Sequence, residues 1–599
     1  MRGSGLLSVG MIAALGIGPA SFSAAATARV PESRTVRNWH AFTRLYGYVR
    51  WFHPSDEAAA TDWDGFAVLG ARRVRDAASD VELRRVLVDL FTPIAPSLLV
   101  FDAGKAPPPE AIAAPADSPM VAWQHLGVGA GATSPSTGFS PYRSARANRD
   151  PVRLFDSLPS AVEVYEHELV PGLRCRFALA LPSVGGHTLP PADVFALGRL
   201  RAEIDGVNVR TASADDEAVR VAGIGVLWNL TQHFWPYFDV VHPDWEAALD
   251  RALTRTLRDR TRQDHVHTLW LMTALLEDGH VTVRAQDRSP YGSTPLVFKR
   301  VDGRVVVSDS GDSLARRGDV VRSIDGRAVK ALMDSAMATR SGTEGWRRFA
   351  SLRALDRGAP GTIARFEVER GGQVSTLAIP RSEKPAVPPR TPDPVAQIEP
   401  GIWYVDLARS RMSQIDSVMT ELAQAKGVVF DARGYPNGTH LVLPHLTDSP
   451  MQSAIWRIPR TIRPDRVGPA GWDESGRWNM PPLQPRLNGR MVFLIGPGAI
   501  SYAESVMGIV EAYHLGELVG EATAGCNGNI NRFALPGGIE ASWTGMRVLK
   551  HDGSEHMGIG IKPTVPVAAT MAGIRSGHDE VLERGVEIAR GGTTVGKQP

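Results

Sequence analysis

The chain has 599 residues, too many for one hydrophobic core, so several domains are expected. Its composition is that of a globular protein, 43% hydrophobic and 22% charged, and the formal net charge is +2. That near balance, with basic pairs as short as Arg72-Arg73 and Arg316-Arg317, excludes a dedicated nucleic-acid binder.

Residues 1–28 read as an export signal: Arg2, an apolar run from Leu6 to Ile17, then small residues from Ser21 to Ala28. The run is short of the roughly 20 residues a membrane span needs. No second span follows, so an exported protein, periplasmic or secreted, is expected. Two cysteines, Cys175 and Cys526, are too few for a disulfide framework and read as independent thiols.

From 34 to 105 the spacing is helical, with Phe42, Leu45, Tyr46 and Val49 on one face and Leu83, Val86, Leu87 and Leu90 on another. Residues 106–137, rich in Pro, Gly, Ala and Ser, read as a linker. Short alternating segments predict a small β-rich domain over 138–222. A second helical region covers 223–290. Its opening, Phe234-Trp-Pro-Tyr-Phe-Asp, echoes Tyr46-Gly-Tyr-Val-Arg-Trp, and both read as helix-packing aromatics. Residues 293–383 form a further unit with a tight-turn signal at Asp325-Gly326. Prolines 385, 388, 389, 392 and 394 then make a stiff linker, 384–394. From 395 to 592 strands alternate with helices, the signature of an α/β domain.

Within that last unit, the run Met491–Ile495 reads as a buried strand. It breaks at Gly496-Pro-Gly498, and a helix carrying Val506, Ile509 and Val510 follows. Ser501 therefore sits where a strand turns into a helix, beside free N–H groups suited to an oxyanion. The same position also suits a simple capping serine.

Five segments, in order, resemble the C-terminal-processing (tail-specific) serine proteases and their tricorn-core relatives. They are Leu275-Leu-Glu-Asp278-Gly-His280-Val, Gly427-Val-Val-Phe-Asp431-Ala-Arg433-Gly434, Ser501-Tyr-Ala-Glu504, Val519-Gly-Glu-Ala-Thr-Ala-Gly525 and Gly558-Ile-Gly-Ile-Lys-Pro563. In addition, Leu314-Ala-Arg-Arg-Gly318-Asp319-Val-Val-Arg-Ser-Ile324-Asp325-Gly326 resembles the core of a PDZ domain. The resemblance implies a multidomain α/β protein with a crotonase-like catalytic domain and a PDZ domain. It implies a serine endopeptidase acting through an acyl-enzyme on peptide or protein substrates, without a cofactor. A PDZ domain would handle the substrate by strand addition; it also lies between His280 and Ser501, so it could instead help build the site.

By the same resemblance Ser501 is the nucleophile, and the backbone N–H groups of Gly434 and Tyr502 form the oxyanion hole. The lysine of the tail-specific branch is absent: Cys526 stands in its place, and no lysine occurs between Lys426 and Lys550. His280 matches the base of the tricorn-like branch, and histidine titrates near neutrality. Asp278, Glu504, Lys550, Glu555 and His556 are supporting candidates, with Lys550 the substitute base. Gly279 stands where that branch has a serine, and Met557 near its glutamate. These departures leave a second reading open, an inactive protease fold that binds peptides or ligands. His551, Asp552, Glu555 and His556 lack the spacing of a zinc protease, so no metal site is expected. Gly127-Val-Gly-Ala-Gly131 lacks the flanking strand and helix of a nucleotide loop.

Overall fold

The computed structural model describes residues 33–108, 112–129, 141–208, 212–286, 290–468 and 470–591. The export segment and the last two residues of the stretch Gly127–Gly131 lie outside them. Among the described residues no helix is long and apolar enough to cross a membrane.

The amino-terminal half is built around two long helices, Arg34–Phe52 and Glu217–Phe234. Ser33 caps the first by accepting the Val36 N–H at 3.2 Å, and Asp216 caps the second through the Ala218 N–H at 2.8 Å. The second helix is buried on all sides, which explains its continuous apolar run. The echoing aromatics pack as expected: Trp39, Tyr46, Trp228 and Trp235 are fully buried, and Phe52 stacks on Phe234 at 5.9 Å.

Three expected boundaries shift. The helical pattern ends at Phe91, and Leu99–Asp102 is a strand. The 106–137 linker contains the strand Met120–Leu126. Its pattern is hidden because Gln124 and His125 are buried polar residues with internal partners. Gln124 donates to the Ser157 carbonyl at 2.9 Å, and His125 Nε2 lies 2.7 Å from the Trp51 carbonyl. The β-rich stretch is not closed on itself either. It carries the helix Val194–Asp205, and its strand Arg143–Ala147 pairs with Met120–Leu126 outside it, which in turn pairs with Trp456–Thr461 from the carboxy-terminal half.

The carboxy-terminal unit is an α/β layer structure. Its sheet runs Val395–Glu399, Ile402–Asp406, Gly427–Asp431, Arg490–Ile495, Glu517–Gly520, Val565–Pro566, and every neighbouring pair is parallel except the first. Side chains alternate between two covered faces. Phe430, Phe493 and Ile495 meet Val506 and Met507 of the helix Tyr502–Ala512, while Val429, Val492 and Leu494 meet Val586 and Ile588 of Glu580–Arg590. A sheet covered on both faces needs uninterrupted apolar strands, as Met491–Ile495 shows.

The unit at 293–383 is an antiparallel sheet in the order Gln373–Pro380, Ile363–Arg370, Val320–Ile324, Arg304–Ser310, Leu296–Val301, with two helices, Val329–Ala338 and Glu344–Leu352. The turn at Asp325-Gly326 forms as expected. Both residues have positive φ, 50° and 76°, and Ser323 pairs with Ala328.

Candidate active site

Ser501 occupies a conformation that an L-residue adopts only under constraint, φ 61° and ψ −116°. Its N–H donates to the Cys526 carbonyl at 2.9 Å and toward Glu504 Oε2 at 3.3 Å. It is half-buried and stands at the carboxyl end of the parallel strands, where open α/β sheets place their ligands.

Glu504, one turn into the helix, is the clamp beneath this turn. It is fully buried and accepts the Gly525 N–H at 2.7 Å and the Cys526 N–H at 2.8 Å, with Thr523 and His556 also on its carboxylate. Burial pushes its carboxyl up, but His556 and these donors outweigh burial and hold it below the usual range. Its lone pairs are committed to donors, so it holds the backbone and does not serve as a base.

His280 follows the turn that closes the second helical region, just before the strand Thr282–Ala285. Its Nδ1 lies 2.8 Å from Thr544 Oγ1, and Thr544 Oγ1 lies 2.7 Å from Asp278 Oδ1. Asp278 is fully buried and also accepts from the His280 N–H at 2.9 Å, the Thr544 N–H at 2.8 Å and Trp235 Nε1 at 3.1 Å. Those three groups can only donate, so Asp278 acts as an acceptor-only carboxylate and the Thr544 hydroxyl gives it its single proton. Thr544 then accepts from His280, which fixes the proton on Nδ1 and leaves the Nε2 lone pair without a partner among the described residues. Burial pulls the imidazole below its usual range, against the opposing pull of Asp278 and Glu504.

Ser501 and His280 are neighbours across Cys526. The Cys526 carbonyl holds Ser501, while its thiol donates to Asp278 Oδ1 at 3.1 Å. No hydrogen bond joins Ser501 to His280 among the described residues, a looseness common where substrate has not closed a site. Burial pushes the Cys526 thiol well up. Ligand atoms of Asp278, His280 and Cys526 lie within 4.8 Å of one another, but they are engaged in the hydrogen bonds just described. A side chain at Gly279 would meet Ile500, Cys526 and Trp346 at 3.0, 3.1 and 3.4 Å, so glycine suits this crowded crossing.

Gly434 lies three residues beyond the strand Gly427–Asp431, beside the strand that leads to Ser501. A Cβ at Gly434 would meet Ala408 at 2.8 Å. The rings of Tyr435 and Tyr502, the residues after Gly434 and Ser501, lie 5.7 Å apart, which brings the two N–H-bearing turns together. Asp431 anchors the first turn. Burial pushes its carboxyl up, but Arg433 and Arg390 prevail and set it at about 2.

The remaining candidates divide. His556 is buried against Glu504 at 3.3 Å. Glu555 turns away to Arg547 at 3.0 Å. Lys550 binds Glu511 at 2.9 Å, near the far end of the Ser501 helix and about 15 Å along its axis from the serine. It is not positioned as a substitute base. His551 and Asp552 engage the Gln452 carbonyl and Ser554 instead of a shared ligand.

Two features escaped the sequence reading. Thr544 is 266 residues from Asp278, with no motif to mark it. An aromatic wall of Tyr502, Trp478, His440 and Trp456, with Trp478 5.6 Å from Tyr502 and 5.2 Å from Trp456, draws on scattered chain segments. The unit at 293–383 also reaches in: Ser341 Oγ accepts the Asp278 N–H at 2.8 Å, and Thr343 Oγ1 donates to the Ala524 carbonyl at 2.8 Å.

Residues 402–567 match the model of peptidase family S41. No curated protein matches the chain. Among solved structures it is similar to mature CPAF complexed with lactacystin, with TM-score 0.51 and 14% identity over 62% of this chain and 98% of that one. A serine-to-alanine mutant of CPAF aligns with TM-score 0.51 and 14% identity, over 63% of this chain and 100% of that one. The photosystem II D1 C-terminal processing protease aligns with TM-score 0.37 and 17% identity, over 62% and 99%. For CPAF, at this identity, the likeness is one of fold.

Proposed function

We propose that this serine peptidase, whose residues 402–567 match peptidase family S41, is of the tail-specific type, with Ser501 its nucleophile and His280 its base. The observation that carries the assignment is the hydrogen-bonded chain Asp278–Thr544–His280, which leaves Nε2 as the basic nitrogen of a half-buried imidazole beside a constrained serine.

In the first half-reaction Ser501 Oγ attacks the scissile carbonyl carbon and its proton passes to His280 Nε2. The carbonyl oxygen becomes an oxyanion facing the Gly434 and Tyr502 N–H groups. The imidazolium is stabilised through Thr544 by Asp278. The C–N bond then breaks, and His280 gives the proton to the departing amine. Water attacks the acyl-enzyme with His280 again as base, and Ser501 is regenerated. The wall of Tyr502 and Trp478 favours an apolar side chain beside the bond cleaved.

The unit at 293–383 fits a PDZ-like peptide-handling role, supported by its open antiparallel sheet and its hairpin at Asp325-Gly326. Export is the reading of residues 1–28, and cell fractionation tests it. The catalytic assignment is tested by labelling with a fluorophosphonate. Wild type should be labelled and Ser501→Ala should not; equal labelling of the two would end it. This outcome also separates catalysis from the binding-only reading, against which the oriented base weighs.

A further inference from the structure

A cavity of about 550 Å³ lies between the end of the helix Glu217–Phe234 and the segment Pro459–Gly468. Its volume is that of a small-molecule site. The aromatic side chains Phe234, Trp235, Phe238 and Trp472 line it. None of its residues is assigned to the peptidase chemistry, though Trp235 also donates to Asp278 at 3.1 Å.

The charges around this cavity are unequal. Four arginines line it, at 460, 463, 466 and 547, against two aspartates, at 239 and 465. Arg463 is paired with Glu163, and Arg547 with Asp239 at 2.7 Å and Glu555 at 3.0 Å. Asp465 spends its hydrogen bonds elsewhere: its carboxylate takes the hydroxyls of Tyr48, at 2.9 Å, and Tyr165, and the Gln232 amide, at 2.9 Å. Arg466 is left over. Its guanidinium stacks on Phe238, 3.5 Å from the ring centroid, and has no ion-pair partner among the described residues. Its Nη1 is buried without a hydrogen-bond acceptor. Burial lowers the guanidinium to about 10, outweighing the opposing pull of Asp465, Glu246 and Asp239, none of which bonds to it.

A second donor is stranded beside it. His233 lines the cavity, and its Nδ1 accepts the Asp465 N–H at 3.1 Å. A backbone N–H can only donate, so the ring proton sits on Nε2, which is buried without a partner. The backbone presenting Arg466 is also under constraint. Asp465 and Arg466 both have positive φ, 53° and 59°, a conformation each adopts at a cost. The anchoring of Asp465 on Tyr48, Tyr165 and Gln232 holds that conformation in place.

We propose that this cavity is a second binding site, distinct from the Ser501 centre, and that it takes a carboxylate carried on an apolar or aromatic body. The carboxylate would pair with Arg466, and the body would lie among the aromatic walls. Two sources share this chemistry, the free carboxyl end of a peptide and a small organic acid.

Calorimetric titration of the full chain with three probes tests this: N-acetyl-Leu-Phe with a free carboxylate, the same dipeptide as its amide, and 4-phenylbutyrate. Ser501 is first blocked with a fluorophosphonate so that binding at the peptidase centre does not contribute. At least one acid should bind, and the amide should bind at least about tenfold more weakly than the dipeptide acid if the source is a peptide. Binding of 4-phenylbutyrate alone would identify the source as a small acid. Arg466→Met should weaken the acid that binds by at least about tenfold. Arg466→Gly should do the same while relieving the positive φ, so loss of binding there is not loss of the fold. The proposal is overturned if no acid binds at millimolar concentration, if acid and amide bind equally, or if both variants bind as wild type does.

Discussion

Replacing Thr544 by valine keeps the shape of a fully buried side chain and removes one oxygen. That oxygen is the link between His280 Nδ1, at 2.8 Å, and Asp278 Oδ1, at 2.7 Å. In the ground state the change leaves His280 free to exchange tautomers. In the transition state it deprives the imidazolium of its path to a carboxylate. A hydrogen bond to a charged group is worth about 1.5–3 kcal/mol. At about 1.36 kcal/mol per tenfold, Thr544→Val should lower kcat by about 10- to 150-fold. KM for a short peptide should change little, because the lost hydrogen bond does not touch substrate and strengthens only as charge develops. The acid limb of kcat/KM should also move to lower pH, since the imidazolium loses its stabilising partner. Thr544→Ser should restore both.

Asp278→Asn is the sharper version of the same perturbation. An amide turned toward Thr544 can donate, which reverses the hydroxyl, makes His280 Nδ1 the acceptor and places the proton on Nε2. The wrong tautomer at a triad-type base costs about 10⁴-fold. Steady-state kinetics on a fluorogenic peptide, run from pH 4.5 to 9, separate these outcomes. A Thr544→Val enzyme with wild-type kcat and an unshifted acid limb would refute the relay, even if His280 itself proved essential.

Other expectations follow from the same geometry. His280→Ala should reduce hydrolysis by about 10⁴-fold with the fold intact by circular dichroism, whereas Lys550→Ala, 2.9 Å from Glu511, should stay near wild type. Cys526→Ser keeps a donor toward Asp278 and should retain most activity, and with burial raising both thiols neither Cys175 nor Cys526 should alkylate in the native protein at pH 8, as mass spectrometry would read. Thermal stability should fall steeply between about pH 6.5 and pH 4. Burial holds His53, His233 and His265 at about 3 and His125 at about 4, so the unfolded chain takes up protons that the native one refuses. Each such histidine contributes a slope of about 1.4 kcal/mol per pH unit in that window. Asp431 and Asp465, both held at about 2, extend the loss below pH 4 in the same direction, and a flat melting profile from pH 7 to 4 would count against these assignments.

What the sequence made legible was local. The strand before Ser501, the turn and the helix after it are contiguous, and their apolar periodicity survives because both faces of the sheet are covered. His280 could be placed at a helix-to-strand turn for the same reason. Thr544 could not, because its role arises where the strand Ile539–Thr544 pairs with Thr282–Ala285, and nothing in the spacing of either announces the partner. The strand Met120–Leu126 was hidden by Gln124 and His125, whose burial depends on carbonyls at Ser157 and Trp51. Lys550 looked available as a base because sequence does not reveal which end of a helix a distant lysine will meet.

The unit at 293–383 is bonded to the proposed catalytic centre, and this changes what its removal would mean. Ser341 holds the N–H of Asp278, Thr343 holds the Ala524 carbonyl, and Phe349 packs where a side chain at Gly498 would stand, 2.7 Å away. These contacts fall on both the turn that carries the base and the loop that carries Cys526. Excision of the whole unit would therefore unseat Asp278 before it affected delivery of any substrate, and short and long substrates should be lost together. A mutation confined to the sheet edge leaves Ser341 and Thr343 in place, so it separates the two roles that a deletion confounds. The segment Ser341–Phe349 thereby links the 293–383 unit to Asp278, the carboxylate proposed to orient the base. A peptide added to that sheet would act on catalysis only through differential contact with the two positions of this segment.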